Sequence, residues 1–327
     1  MTNSSLNLDM VLSQSESFFE LDEILRQAIN VVRFYIIPTI AGIGLITNVS
    51  FLIVLLNKRL KHRIYQDLWI KTFCDLIVCI SSLGYINIGC RFCKKENIEY
   101  WKAVYDVRIL YSAIIISATA STYAEIYLII NRCINLFKPS SKILHFKKVY
   151  IISVFYFFAI ASALPTYFFI EIKKSENNFT SSYIVSGSDS LEIYIIIDAT
   201  IHLVLPCVVL LIINIISIIQ LRRLNVLSAN IGSNNNQSRK KSQRRFTKAL
   251  VISSFVFLII KILYLALYVL FSLSDYSLEY DSVKVESNDK TIDYIDAFTV
   301  FSNTFYQTFN CFFYIYMDSN LREIIFL

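Results

Sequence analysis

The chain has 327 residues, of which 55% are hydrophobic and only 17% are charged. Soluble globular chains are about 45–50% apolar and about 25% charged, so this composition argues against a soluble protein. The formal net charge of +6 is less informative than the distribution of charges along the chain. Residues 1–30 lack the basic start and apolar centre of a cleaved signal peptide. The first apolar run is therefore expected to act as its own signal anchor.

Seven apolar runs follow one another, and each can cross about 30 Å of hydrocarbon as a helix of about 20 residues. They cover residues 31–56, 65–88, 104–130, 148–170, 192–220, 246–272 and 294–316. The runs predict an all-α membrane protein, a seven-transmembrane helix bundle over 31–316 with an extracellular tail over 1–30. Run two is the most polar. Its Lys71, near the start, is expected to snorkel to the headgroups, whereas Asp75 needs a polar partner inside the bundle.

Basic residues are concentrated in the first, third and fifth connections between the runs. The fifth connection alone carries eight and no acidic residue: Arg222, Arg223, Arg239, Lys240, Lys241, Arg244, Arg245 and Lys248. The N-terminal tail and the last connection are acidic. By the positive-inside rule the N-terminus lies outside and the chain is a multi-pass protein of the plasma membrane. The glycosylation sequons at Asn3 and Asn178 then fall outside, where they can be used.

Cys90 and Cys93 lie close together in the first outer connection, in an oxidising compartment. Three interpretations remain open: a local disulfide, two free thiols, or part of a metal site. A single Cys-x-x-Cys is weak support for zinc, because no second Cys or His pair lies nearby in the sequence. The other five cysteines are expected to be small buried apolar residues.

Polar residues within the runs carry the most information, since a charge at the centre of a membrane helix costs about 2.5–3.5 kcal/mol on insertion scales. They include Asn48 in run one, Asp75 in run two, Arg132 at the end of run three, and Asn310 and Tyr314 in run seven.

This set resembles the rhodopsin-like family of G-protein-coupled receptors across all seven runs. Asn48 and Asp75 are similar to the family's polar residues of spans one and two. Arg132 resembles the Arg of the Asp-Arg-Tyr motif at the inner end of span three. Asn310 and Tyr314 resemble the span-seven motif Asn-Pro-x-x-Tyr. Pro206 is similar to the family's span-five proline, and residues 317–327 resemble its short cytoplasmic eighth helix.

Several positions depart from the family pattern. Asn131 stands where an acid usually holds the neighbouring Arg in the inactive state. The absence of this acid argues against a very low activity without ligand. Cys133 stands where Tyr is usual. Cys311 replaces the span-seven proline, which predicts a weaker kink. Residues 171–191 contain no cysteine for the family's usual outer disulfide. These departures indicate a divergent member, of the kind found in lineage-specific expansions of invertebrate receptors.

The resemblance implies that Arg132 switches between an internal latch and a contact with a G protein, in one region with Asn131, Asn310 and Tyr314. An ordinary snorkelling anchor remains the alternative for Arg132. Run six begins after two basic residues, Arg244 and Arg245. Outward movement of this end of the helix would make room for the G protein. The same two residues also serve the positive-inside signal.

Asn48, Asp75, Ser121 and Asn310 are expected to face one another at mid-membrane. The resemblance implies that this carboxylate, hydroxyl and amides hold a Na⁺ ion with water. The alternative is a hydrogen-bond network without an ion. Apart from this structural Na⁺, the chain is expected to need no cofactor.

A ligand pocket is expected in the outer half of the bundle. Asp198 and His202 are four residues apart and therefore share one face of span five. Lys261 is buried in span six, where it needs a counter-charge or must be neutral. With Asn303 these residues form either a polar cavity open to the outside or an internal salt bridge that only holds the bundle together.

Two positions argue against a biogenic amine and against retinal as the ligand. Ile114 stands at the depth where amine receptors carry Asp, and Thr304 stands where opsins carry the retinal Lys. The acidic outer surface favours a cationic or amidated peptide by electrostatic steering. The predicted function is a G-protein-coupled receptor that transduces an extracellular ligand, with a peptide favoured, to heterotrimeric G proteins. Nucleic acid is not an expected partner.

Two other classes of membrane protein fit less well. A transporter or channel would show internal repeats or broken helices, and the sequence shows no repeat. A membrane enzyme would cluster His and Asp residues at one membrane face, whereas His62, His145 and His202 are scattered. The retained alternative is a seven-helix transporter or channel.

Overall fold

The computed structural model describes the helical bundle and one pair of strands. The described residues are 23–25, 27–57, 60, 63–84, 105–137, 148–174, 181–185, 200, 204–229, 248, 251–263, 265–266, 284–317 and 321–322.

Within the described residues, seven α-helices follow one another, and the predicted bundle is confirmed. They are α1 Ile37–Leu55, α2 Arg63–Leu83, α3 Ser112–Phe137, α4 Lys148–Phe169, α5 Leu205–Ala229, α6 Val251–Leu263 and α7 Lys284–Met317. The π-helical turns Val32–Ile36 and Tyr105–Tyr111 lead directly into α1 and α3. Of the expected eighth helix, Leu321 and Arg322 are described, and both are helical.

Two helices are longer on the outer side than the apolar runs predict. Helical backbone is present at residues 23–25 and 27–30, within the stretch expected as a tail. Helix α7 begins at Lys284, ten residues before the predicted start, and has 34 residues. At about 1.5 Å per residue it is roughly 50 Å long, well beyond the about 30 Å of hydrocarbon. Hydropathy misses such turns because a helix that projects into water can carry charges.

A short antiparallel strand pair follows α4. Strand β1, Ile170–Lys174, pairs with β2, Ser181–Val185, with Ile170 opposite Val185. Isoleucine, valine and tyrosine suit such a pair, but five residues a strand give only a weak signal. The sequence therefore does not predict this hairpin, which lies in the second outer connection of the predicted topology.

Helix α3 lies at the centre of the bundle and packs against α2, α4 and α5, while α7 packs against α1 and α2. Helix α6 joins through an apolar cluster with one member each from α3, α5, α6 and α7. The members are Ile129, Leu210, Phe257 and Tyr306. This arrangement places α2, α3, α6 and α7 around a shared interior.

The surface of the bundle is apolar and much of its interior is polar. Large side chains on the outside, such as Ile53 and Phe157, are 65% and 67% exposed, whereas Asp75 and Glu125 are buried. Monomeric soluble proteins rarely expose apolar patches of this extent, so the surface is suited to lipid. Within the described residues, Glu23–Leu55 and Arg108–Asn131 are long and apolar enough to cross a membrane, and three shorter apolar helices accompany them.

Candidate functional site

Helices α1, α2 and α7 approach closely at Gly44. A Cβ atom added there would overlap Thr308 Oγ1 and lie 2.6 Å from Cys79 Sγ. Only glycine leaves room for this contact. One turn further along α1, Asn48 donates from Nδ2 to Gly44 O at 2.9 Å and to Gln307 O at 3.3 Å. The close approach thus connects α1 to α7 directly beside the polar interior.

Lys71 lies in the middle of that interior, and the prediction that it snorkels to the headgroups is wrong. Its ammonium forms an ion pair with Asp75, one turn along α2. It also donates to Gln307 Oε1 at 2.8 Å and to Ser121 Oγ at 3.1 Å. The side chain is fully buried. The Lys71 side chain points inward because a carboxylate and two further acceptors, from α3 and α7, offset the hydration that its ammonium loses.

Glu125 of α3 is the second carboxylate beside Lys71. Its Oε2 lies 3.5 Å from Lys71 Nζ, within ion-pair distance but longer than a usual N–H···O bond of roughly 2.7–3.2 Å. The ring of Tyr306 lies 5.4 Å from the same ammonium and adds a cation–π contact. We call Lys71, Asp75 and Glu125 the charged core. It joins α2 to α3 by charge, deep inside the bundle.

Asp75 extends the charged core to α6 and α7. Ser121 Oγ donates to Asp75 Oδ1 at 2.5 Å, and Asn310 Nδ2 donates to Asp75 Oδ2 at 3.3 Å. The other end of the Asn310 amide, Oδ1, accepts a bond from Ser253 Oγ of α6 at 2.6 Å. Three of the four residues expected to face one another, Asp75, Ser121 and Asn310, are therefore in contact. Asn48 instead bonds to the backbone of α1 and α7.

These residues do not fit the Na⁺ ion that the resemblance implies. The Lys71 ammonium already lies against Asp75, and two unit charges of like sign about 4 Å apart repel by about 4 kcal/mol at an effective dielectric of 20. Ser121 and Asn310 direct donors, not acceptors, at the carboxylate. The sodium expectation is corrected to a hydrogen-bonded ion network in which a lysine supplies the cation.

At the inner end of α3, Asn131 Nδ2 donates to Asp67 Oδ2 of α2 at 2.5 Å, and both residues are buried. An acid therefore lies beside Asn131, although it comes from a different helix. The next residue, Arg132, is within α3, and its side chain lies outside the described part of the molecule. Cys133 Sγ contacts Ser217 Oγ of α5 at 2.8 Å, which joins α3 to α5 at this level.

Tyr314 is also buried at this end of the bundle. Its ring stacks on Phe51 of α1, with centroids 6.4 Å apart and an interplanar angle of 11°. Leu321 packs in the same apolar cluster. The tyrosine of the expected span-seven motif thus contacts α1 next to the short helical segment that follows α7.

Two of the four expected pocket residues meet in the outer half of the bundle, as oriented by the loop charges. Lys261 Nζ of α6 donates to Asn303 Oδ1 of α7 at 2.9 Å and lies 5.2 Å from the ring centre of Phe257. Nearby on α7, Thr304 Oγ1 donates to Ser82 Oγ of α2 at 2.8 Å.

The remaining predicted site residues lie outside the described residues. They are Asn3, Cys90, Cys93, Asn178, Asp198, His202, Arg244 and Arg245. Their glycosylation, cysteine state, pocket and coupling roles stay predictions.

Three polar residues of this site have no predicted role from the sequence: Glu125, Gln307 and Ser253. A usable signal was present for two of them. A single Glu within an apolar run needs a polar partner, and Gln307 precedes Asn310 by three residues and therefore shares its helix face. Ser253 gives no such signal, because serines are common in membrane helices.

The seven-helix bundle, its apolar exterior and its buried charged core define the class of multi-pass membrane proteins with seven helices. Residues 39–278 match the family model of the serpentine type 7TM GPCR chemoreceptor Srx. The match covers well over half of the chain, and the chain belongs to this family. A comparison with curated proteins gives no match.

Family membership decides several predictions. The chain is a receptor of the G-protein-coupled type, not an enzyme, and it is a multi-pass membrane protein. The transporter or channel alternative gains no support. The resemblance to rhodopsin-like receptors is confirmed at the level of a divergent serpentine receptor family, and the description of the family as chemoreceptors does not support a peptide ligand.

Proposed function

We propose that the chain couples an extracellular small chemical ligand to a heterotrimeric G protein by a rhodopsin-like rearrangement of α6 against α2 and α7. The observation that carries this proposal is the position of Asn310, whose amide bonds to Asp75 of α2 and to Ser253 of α6. Outward movement of α6 must break or redirect the Ser253 bond. The resting arrangement is therefore tied directly to the charged core, as a two-state switch requires.

The ligand side of the proposal is Lys261 with Asn303, together with Asp198 and His202 of the expected pocket. A lysine ammonium has three donors. Within the described part of the chain, Lys261 gives one hydrogen bond, to Asn303, and packs over Phe257. Remaining donor capacity at a buried cation favours a ligand with an acceptor or anionic group. The earlier preference for a peptide depends on acidic outer residues alone, so a small chemical ligand is preferred here.

The G-protein side of the proposal is Arg132 with Arg244 and Arg245 at the inner ends of α3 and span six. The rhodopsin-like pattern usually has an acid directly before the Arg, and this chain has Asn131. Asp67 bonds to Asn131, so we propose that α2 supplies the restraining carboxylate in place of the missing neighbour. Loss of this carboxylate should loosen the inner end of α3 and raise signalling without ligand.

The test measures G-protein activation in cells that express the chain. Three ligand panels are compared: small organic acids, neutral small molecules and amidated peptides. Arg132→Ala is run alongside, with surface expression measured for each variant. We expect a response to a small molecule in the parent that Arg132→Ala loses at equal surface expression. A response to peptides alone would overturn the ligand proposal, and a response that persists in Arg132→Ala would overturn its coupling role.

The role of Asp67 is tested by Asp67→Asn, which keeps the size of the side chain and removes its charge. Basal G-protein activity should rise several-fold over the parent at equal surface expression. Ser217→Ala is the matched control, because it removes a buried inner contact of α3 that carries no charge. Equal basal activity in Asp67→Asn and the parent would contradict the restraining role.

A further inference from the structure

Four side-chain oxygens from three helices surround the Lys71 ammonium. Asp75 Oδ1 is in direct contact, Gln307 Oε1 lies at 2.8 Å, Ser121 Oγ at 3.1 Å and Glu125 Oε2 at 3.5 Å. Two carboxylates, an amide carbonyl and a hydroxyl are the kinds of ligand that hard cations take in proteins. The site is thus built as a cation site whose cation belongs to the chain.

We propose that Lys71 is a built-in cation that makes the resting fold independent of sodium, and that removal of its ammonium opens a sodium site among the same oxygens. A cation carried by α2 occupies the site at any salt concentration, because it cannot dissociate into solution. A free ion has to pay for its lost translational freedom, whereas the tethered ammonium does not.

The charges of the site support the second half of this proposal. The charged core has one cationic and two acidic side chains. Lys71→Ala leaves Asp75 and Glu125 facing the space of a removed side chain, with the oxygens of Ser121 and Gln307 beside it. Two buried carboxylates without a cation are strongly unfavourable. Sodium and water are small enough to enter this space, and the sodium ion would restore the missing positive charge.

The experiment measures thermal unfolding of the purified full chain in detergent, in matched concentrations of sodium, potassium and choline chloride. It needs no ligand and no G protein, so its failure is separate from any failure of the proposed function. The parent should unfold at the same temperature in all three salts. Lys71→Ala should unfold at a lower temperature in choline and recover by several degrees as sodium rises, with saturation.

Two further variants serve as controls. Lys71→Ala with Asp75→Asn should lose the sodium-dependent rise, because the central carboxylate is gone. Lys71→Ala with Glu125→Gln has the same formal charge in the core as the parent, and it covers the case in which Lys71→Ala alone fails to fold. It should keep the rise.

A saturable sodium effect in the parent would overturn the proposal. The same unfolding temperature in all three salts for folded Lys71→Ala, or for folded Lys71→Ala with Glu125→Gln, would overturn it as well. The parent measurement decides the first half of the proposal even if no variant folds.

Discussion

The two buried lysines in the described part of this receptor have opposite surroundings. Lys71 lies between carboxylates of α2 and α3 and has further acceptors on α3 and α7. Lys261 contacts the amide of Asn303 and the ring of Phe257, both neutral. An ammonium compensated by internal acids holds helices together, whereas one that bonds to neutral groups keeps capacity for an outside partner. The contrast separates a structural ion pair from a candidate ligand contact within the same bundle.

The largest expected effect comes from removing each ammonium in turn. Lys71→Met should lower the free energy of unfolding by about 3–5 kcal/mol, because it leaves buried carboxylates uncompensated. Lys261→Met should cost less, about 1–3 kcal/mol, the range expected for one unsatisfied amide oxygen. Thermal unfolding in choline chloride measures both. Similar losses for the two variants would remove the distinction between the lysines.

The next largest effect is expected at Gly44, where α1, α2 and α7 pack closely beside the charged core. Gly44→Ala should destabilise the fold by about 1–3 kcal/mol, because its Cβ overlaps Thr308 and Cys79. Gly42→Ala on the same helix is the matched control, since its Cβ meets nothing within 4 Å. Gly42→Ala should be neutral or stabilise by up to about 1 kcal/mol, as alanine favours a helix more than glycine does. If both variants unfold at the same temperature as the parent, the tight contact is not needed.

A third variant makes Lys261 resemble Lys71. Asn303→Asp places a carboxylate 2.9 Å from the ammonium in the position now held by the amide oxygen. With its charge compensated internally, Lys261 should bind an acidic or acceptor-bearing ligand less well. The half-maximal ligand concentration should rise by about tenfold or more, which corresponds to about 1.4 kcal/mol. A dose–response curve at equal surface expression checks this, and an unchanged curve would argue against Lys261 as a ligand contact.

The smallest effect is expected for the neutral hydrogen bond between Thr304 and Ser82, next to Asn303, the partner of Lys261. Ser82→Ala removes the hydroxyl that bonds to Thr304 and should cost about 1 kcal/mol or less, because the single proton of the Thr304 hydroxyl can still be donated to the carbonyl of Val300. Unfolding in detergent gives the value. A loss as large as that of Lys71→Met would mean that this contact between α2 and α7 holds the fold as strongly as the charged core.

The fold follows from the sequence because seven long apolar runs have few alternatives in lipid. The ends of the helices do not follow, since a helix can leave the membrane without any change in its local preferences. This is why the outer turns of α7 were missed, whereas the β1–β2 pair was missed because five residues a strand give only a weak signal. The membrane depth of Asp75 and Asn310 is encoded locally, and their contact could be expected from the family resemblance.

The orientation of Lys71 could not be predicted in the same way. Its position near the start of α2 favoured the headgroups by distance alone. Its acceptor Gln307 is 236 residues away in the chain, and Ser121 is 50 residues away. Only the packed bundle brings these acceptors together, so local sequence gives the charge of Lys71 but not its direction.

The unbroken length of α7 has a mechanical consequence. Cys311 stands where proline would remove a backbone hydrogen bond, and α7 runs as one helix from Lys284 to Met317. Asn303 and Asn310 are seven residues apart, about 10 Å along this helix and two turns from one another. A stiff rod passes a twist from one end to the other with little loss. If ligand contact turns α7 at Asn303, as the proposed function requires, Asn310 should turn with it as part of the same rigid body, and no hinge in α7 is needed over this distance.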